Sequence, residues 1–236
     1  MMRATFFRIL MACSTFVFAA CAVQRPANSI AASPEFAAKP LSVDTLLAWP
    51  VYGRGSVEGY RNQAVILREQ VGSAGLMLVS PKPYGQRVVL RYRVMTLQAG
   101  SVLVAILSTS GPEEAGTLSL PEGYDGGIGP WLGPNPNYFF AFHNAPHMRN
   151  PFVIRVGDGD TNLLEEADRA YMTVGRWHDV EVGRRDGRLW LSIDGQRVID
   201  TTDTPPLGSG RIALRIRGTG PELASAMIRD VRISEE

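Results

Sequence analysis

Cysteine is almost absent from this chain. Its two cysteines, Cys13 and Cys21, both lie near the N-terminus, so no disulfide can staple the rest of the chain. A domain built from the remainder must rest on an apolar core. With 236 residues there is enough chain to bury one. Lysine is nearly as scarce, with Lys39 and Lys82 the whole supply, and arginine carries almost all the positive charge. Arginine offers bidentate sites for carboxylates or sulfates, although a compositional bias of the genome gives the same excess. No strongly basic stretch occurs and the formal net charge is only +1. That excludes the electrostatic footprint of a nucleic-acid-binding protein. Beyond the N-terminus no apolar run approaches the roughly 20 residues that a membrane-spanning helix needs.

The N-terminus has its own pattern. Arg3 and Arg8 form a positive region, residues 6–20 are a short apolar run, and Ala19 and Ala20 are the small residues of a cleavage site. Cys21 directly after Phe18-Ala19-Ala20 resembles the lipobox of bacterial lipoproteins; an ordinary secretory signal containing a cysteine is the plainer reading. The resemblance implies cleavage before Cys21 and lipidation of its thiol and new amino terminus. The acyl chains would supply membrane affinity at about 0.8 kcal/mol per buried CH₂. Ala22, where an aspartate would favour retention in the inner membrane, implies transfer to the outer membrane. Loss of Arg3 and Arg8 leaves a net charge of about −1. Residues 1–20 are then a lipoprotein signal peptide. Residues 21–40, rich in Ala, Pro and Ser, are a flexible tether, and residues 41–236 are the folded domain.

Within that domain the apolar pattern has period two. Residues 42–47 are one short helical candidate. Residues 64–67 and 76–79 are apolar runs bounded by Gly, Ser and Pro. In 87–94, Leu90, Tyr92 and Val94 share one face, and Arg91 and Arg93 the other. Residues 101–108, 137–142 and 152–155 read as further strands. In 188–193, Leu189, Leu191 and Ile193 line one side. Asp186-Gly187 and Asp194-Gly195 have the chemistry of two-residue hairpin turns. Residues 177–182, 211–217 and 227–233 complete the set. Many short strands with little helix predict an all-β fold, an antiparallel β-sandwich. One stretch departs from it: residues 111–168 are rich in Gly, Pro and Asn and form one long loop-rich insertion. Such insertions often carry binding or active-site residues, and its aromatic content argues for order.

Gly175-Arg176-Trp177 with the strand behind it, Ile193-Asp194-Gly195, residues 208–214 and Met227-Ile228-Arg229-Asp230-Val231-Arg232-Ile233 resemble the closing strands of the concanavalin A-like lectin/glucanase jelly-roll superfamily. The resemblance implies a jelly roll, and this superfold hosts lectins, glycosidases, lyases and adhesion modules alike. Residues 138–143 and 149–155 are similar to the YesU-like subgroup, which is linked to plant-polysaccharide use. The E-x-D-x-E strand of retaining glucanases is absent, as are the R-x-E-x-R and Q-x-H strands of alginate lyases.

The densest polar cluster is residues 143–150. A polysaccharide lyase would use a His or Tyr as base and an Arg or Asn against the substrate carboxylate. His143, Tyr138, Arg149 and Arg155 are the catalytic candidates, and a loop ordered by side-chain hydrogen bonds is the bland alternative. For ligand binding, Trp131, Tyr138 and Trp190 could stack on sugar rings, with Asn150 taking hydroxyls. Trp190 lies opposite Leu189, Leu191 and Ile193, on the face away from the core. Trp177 reads as core. His143 and His147 lack a third zinc ligand. Residues 158–162 begin like a calcium loop, but Leu163 and Arg169 stand where a glycine and a closing glutamate belong; a calcium site of another kind stays open, and otherwise no cofactor is expected. Glu165 and Glu166 would point opposite ways on a strand, so at most one could serve a glycosidase.

Three functions compete. The first is a lipid-anchored envelope protein binding carbohydrate or polysaccharide through a sandwich face. The second is a polysaccharide lyase or glycoside hydrolase using the region from His143 to Arg155. The third is a structural envelope lipoprotein with a protein partner. No nucleic-acid partner is expected, and membrane contact is through the anchor alone.

Overall fold

The computed structural model describes residues 38–111, 117–144, 147, 149–157, 159–219 and 221–235. Cys21, the signal segment and most of the tether lie outside these residues, as does Asp158. Ser42 caps a short helix, α1 (Val43–Leu47), its hydroxyl accepting the Thr45 N–H at 3.1 Å. That bond satisfies one of the free amides of the first turn. Strands come next: β1 (Val51–Gly53), β2 (Gly55–Tyr60), β3 (Ala64–Glu69), β4 (Leu76–Val79), β5 (Val88–Thr96), β6 (Val102–Thr109) and β7 (Asn137–His143). The remainder are β8 (Phe152–Gly157), β9 (Asp160–Glu166), β10 (His178–Arg185), β11 (Arg188–Ile193), β12 (Gln196–Thr202), β13 (Arg211–Arg217) and β14 (Ser225–Glu235). They pair antiparallel in two seven-stranded sheets. The first runs β1-β4-β13-β6-β7-β8-β9 and the second β12-β11-β10-β5-β14-β3-β2.

The period-two pattern becomes packing. Leu90, Tyr92 and Val94 on β5 point inward with Val180 and Val182 on β10 and Leu189, Leu191 and Ile193 on β11. From the other sheet come Leu103 and Leu107 on β6 and Tyr138, Phe140 and Phe142 on β7. Each such side chain contributes about 1.5–3 kcal/mol by leaving water. The Tyr92 and Phe142 rings meet edge to face across the gap, their centroids 6.3 Å apart. Both Asp-Gly pairs form tight turns. Asp186, Gly187, Asp194 and Gly195 all have positive φ, which a turn matched to the strand twist demands. On β14, Asp230 (φ 55°) sits at a register shift between Arg229 and Arg232. An aspartate tolerates the left-handed conformation of such a bulge.

The insertion is less irregular than its composition suggests. Between its loops, β7, β8 and β9 extend the first sheet. Residues 160–166, read as part of the loop-rich insertion, are the edge strand β9. Its first half is polar on both sides and exposed, so no alternation betrayed it. Glu165 and Glu166 do face opposite ways: Glu165 accepts the Asp200 N–H at 3.1 Å, while Glu166 meets Arg149.

Candidate functional site

Strands β6 and β7 are buried along their whole lengths. A sheet with one wet face would alternate, so both faces of the first sheet are covered here. The inner face meets the second sheet. The outer face carries a separate apolar cluster, with Val104 and Ile106 on β6, Phe139 on β7, and Phe152 and Ile154 on β8. Part of its cover is the loop formed by residues 117–136. Leu118, Leu120, Tyr124 and Ile128 pack on the outer cluster, and Trp131 is wholly buried within it. Asparagines order this roof. Asn135 donates to the carbonyls of Ser119 and Pro130 and accepts the Ser119 N–H, and Asn137 donates to the carbonyls of Trp131 and Asn135. The Trp131 indole N–H donates to the Tyr124 hydroxyl at 2.6 Å. Burial pushes the Tyr124 pKa up to about 12, so it stays a neutral hydroxyl that can accept the indole and donate to the Gly127 carbonyl.

The roof stops short of the sheet edge and leaves a cavity of about 420 Å³. Its floor is apolar, with Val102, Ala141, Phe139 and Ile154, and Ile128 and Leu132 of the roof close one side. Phe139 and Phe152 lie near-parallel, 6.5 Å between centroids. Arg149, Arg215, Arg217, His147 and Asn144 supply the polar lining. Among its described lining residues there is no Asp or Glu. Arg149 lies over the Phe152 ring at 4.4 Å and donates to Glu166 at 2.6 Å. That hydrogen bond holds the Glu166 carboxyl below the usual carboxylate range. An apolar floor with a few polar groups at its edge suits a ring with one C–H face and a fringe of hydroxyls.

The sheet divides the residues singled out in the sequence. Arg149 stands on the outer side and lines the cavity, whereas Asn150 is not among its lining residues. His143, Tyr138 and Arg155 point into the sandwich. His143 is 5 % exposed; its Nδ1–H donates to the Ser101 carbonyl at 2.6 Å, and burial lowers its pKa. The Tyr138 hydroxyl donates to Asp203 at 2.6 Å, and Arg155 Nε donates to the same carboxylate oxygen at 3.0 Å. Burial, helped by that hydrogen bond, pushes the Tyr138 pKa up to about 12. Tyr138 also accepts the Leu207 N–H, and Arg184 donates to the Leu207 and Gly208 carbonyls. These bonds pin residues 203–208 to the interior. Tyr138 and Arg155 thus come together, but beneath the sheet and away from Arg149.

Neither tryptophan offers a free stacking face. Trp131 is wholly buried under its own loop. Trp190 does lie on the face opposite Leu189 and Leu191, as expected, but that is the outer face of the second sheet. There it is only 8 % exposed. It lies against Gly183, where an added Cβ would come within 2.1 Å of its ring. Its N–H donates to Glu181 at 2.6 Å, and Arg197 covers it at 5.1 Å. Of the residues read as a calcium loop, Asp160, Thr161 and Asn162 begin β9. Among the described residues no three His, Cys, Asp or Glu side chains gather to hold a metal ion.

The cavity residues that were not candidates from the sequence include Phe139, Ile154, Leu163, Arg215 and Arg217. The signal for them was present. In residues 102–107 and 138–142 both alternate positions are apolar, which marks strands covered twice. On β13, Arg215 and Arg217 occupy the face opposite Leu214 and Ile216.

No family model matches the chain, and no curated protein does. Solved structures do resemble it. A Bacillus subtilis protein of unknown function with a galectin-like fold superposes with a TM-score of 0.71 at 11% identity, over 85% of this chain and 97% of that one. The carbohydrate-binding module CBM66 from Bacillus subtilis gives 0.57 at 11% identity, over 80% and 97%. A Bacillus licheniformis β-glucanase gives 0.56 at 12% identity, over 85% and 94%. At such identities the likeness speaks for the fold, a concanavalin-like jelly roll.

Proposed function

We propose that this chain is an envelope protein, lipid-anchored through Cys21 at the outer membrane, that binds carbohydrate in the cavity on the outer face of the first sheet. One observation carries the binding site. The cavity joins an apolar, aromatic floor to a lining of arginine, asparagine and histidine. The resemblance of residues 138–143 and 149–155 to the YesU-like subgroup supports a plant-type polysaccharide as the ligand. CBM66 and the glucanase, one a binding module and one named as an enzyme, share the fold, so the lining must decide between binding and turnover. Hydrolysis by paired carboxylates needs two acids about 5 to 9 Å apart across the sugar, and the described lining contains neither. A lyase site drawn from His143, Tyr138, Arg149 and Arg155 would have to act through the sheet that separates them. Binding without turnover is therefore the reading adopted.

The test is incubation of the purified protein with a panel of neutral and uronate polysaccharides. Retention in an affinity gel is followed together with reducing ends and the absorbance of unsaturated products. Retention without products is expected. Leu163 lines the cavity yet is 53 % exposed, so Leu163→Glu should fold and lose retention. New reducing ends, or retention indifferent to Leu163→Glu, would overturn the assignment. For the anchor, the mature protein should partition into a detergent phase and Cys21→Ser should not; equal partition would remove it.

A further inference from the structure

Among the described residues, the cavity holds more positive charge than its neighbours balance. Three guanidinium groups line it, Arg149, Arg215 and Arg217, and Glu166 engages only the first. Arg215 is 3 % exposed. Its Nη2 donates to the carbonyls of Ala74 and Gly126 at 2.8 and 3.1 Å, and its Nε has no partner. Glu69, whose charge reaches Arg215, has its oxygens taken up by the backbone N–H groups of Gly218 and Ala224 and the Ser73 hydroxyl. Burial lowers the Arg215 pKa to about 10, which records the cost of keeping this cation out of water; at neutral pH it remains charged. Arg217 stands two residues further along β13 on the same face. It is exposed and has no hydrogen-bond or ion-pair partner among the described residues. Across the ladder, Val104 lies opposite Arg215 and Val102 opposite Arg217, so the apolar floor runs up to this cationic end.

We propose that the cavity selects an acidic polysaccharide, with a uronate ring on the apolar floor and its carboxylate at the Arg217 end. The inference rests on the carbohydrate reading and adds the sign of the ligand's charge. A planar carboxylate matches the guanidinium fork, and charge-assisted hydrogen bonds of this kind are about twice as strong as neutral ones. The low-dielectric floor strengthens them further. Arg217 on β13 and Arg149 just before β8 are three strands apart, roughly 14 Å at the usual strand spacing. The two cationic ends therefore meet different residues of one chain, which favours an oligomer laid across the strands over a single sugar.

The experiment titrates the purified protein calorimetrically with homogalacturonan and alginate oligosaccharides, and with the same oligosaccharides after reduction of their carboxyl groups. Arg217→Ala is measured alongside, because an exposed side chain can be removed without unfolding the sheet; circular dichroism checks this. Carboxyl reduction and Arg217→Ala should each weaken binding on the order of tenfold, the scale of one charged hydrogen bond, and added salt should do the same to the wild type. If the reduced oligosaccharide binds as well and Arg217→Ala changes nothing, while Leu163→Glu still abolishes binding, the charge preference falls and the carbohydrate site stands. If neither form of any oligosaccharide binds, both fall. Binding of a sulfated glucan with none of the uronates would also overturn the proposal.

Discussion

The outer faces of the two sheets carry the same kinds of residue and put them to opposite uses. On the second sheet, Trp190 lies flat against Gly183, and Glu181 ties it to Arg91 and Arg197 with ion pairs at 2.6 and 3.7 Å. Arg188 meets Asp200 and Arg93 meets Asp179 in the same way. Cation and anion alternate across that face, and its rings are covered. Arg197 lies over Trp190. Trp177, read as core, is half-buried on the same face with Ile66 and Met227, beneath Arg229 at 4.4 Å. On the first sheet the tryptophan has gone into a roof, and among the described residues lining the cavity three arginines stand with no acid. A face whose charges are paired in place has little left for a ligand. A face with an apolar floor and unpaired cations has both the area and the charge. The difference comes from the insertion, which supplies the Trp131 roof and the extra strands β8 and β9.

That contrast can be broken at the roof. Trp131→Ala removes a wholly buried side chain, for which about 3–5 kcal/mol of stability should be lost. Urea unfolding would measure it, and glycan retention should disappear with the roof. Gly183→Ala tests the opposite face. A methyl there must push Trp190 from its place, at about 1–3 kcal/mol for overpacking, yet glycan affinity should not change. A loss of affinity in this variant would join the two faces that are held apart here.

A smaller effect belongs to the interior between them. Burial keeps the His143 pKa below its ordinary value of 6.5, so the unfolded chain takes up a proton that the folded chain resists. This contribution is constant at pH values above about 6.5 and costs stability as the pH falls from there toward the lower folded pKa. Unfolding free energies between pH 7.5 and 5.5 should decline for the wild type and decline less for His143→Gln. Equal slopes would remove His143 from the account. The smallest effect sharpens the charge comparison. Glu166→Gln breaks a surface ion pair worth up to about 1 kcal/mol, so stability should barely move. Freeing Arg149 should tighten uronate binding by roughly two- to five-fold, the same energy read as affinity.

Much of the sandwich was legible in the residues. Leu90, Tyr92 and Val94 alternate with arginines, and only a strand with one dry face does that. The Asp-Gly pairs at 186 and 194 placed two hairpins because few other sequences accept positive φ at both positions. The edge strand β9 was not legible, since Asp160, Thr161 and Asn162 are polar on both sides and pairing with β8 alone makes them a strand. The site was readable only in part. Asn144, His147 and Arg149, from the dense polar stretch of residues 143–150, line the cavity. What a linear reading could not supply was the side of the sheet: Phe142 and the bulged His143 turn inward, while Phe139 and Ala141 turn out. Nor does composition tell a tryptophan that stacks on a sugar from one that closes a roof, since that depends on what the folded loop meets, here the outer apolar cluster of the first sheet with Val104 and Ile106.

The most direct measurement is an NMR titration of the isotope-labelled protein with the oligosaccharide that binds best, following methyl groups and indole N–H signals together. The methyls of Ala141, Ile154 and Leu163 should shift with ligand, while the Trp190 indole on the second sheet stays still. Shifts at Trp190 with the Ala141, Ile154 and Leu163 methyls unmoved would place the ligand on the wrong face and contradict the account.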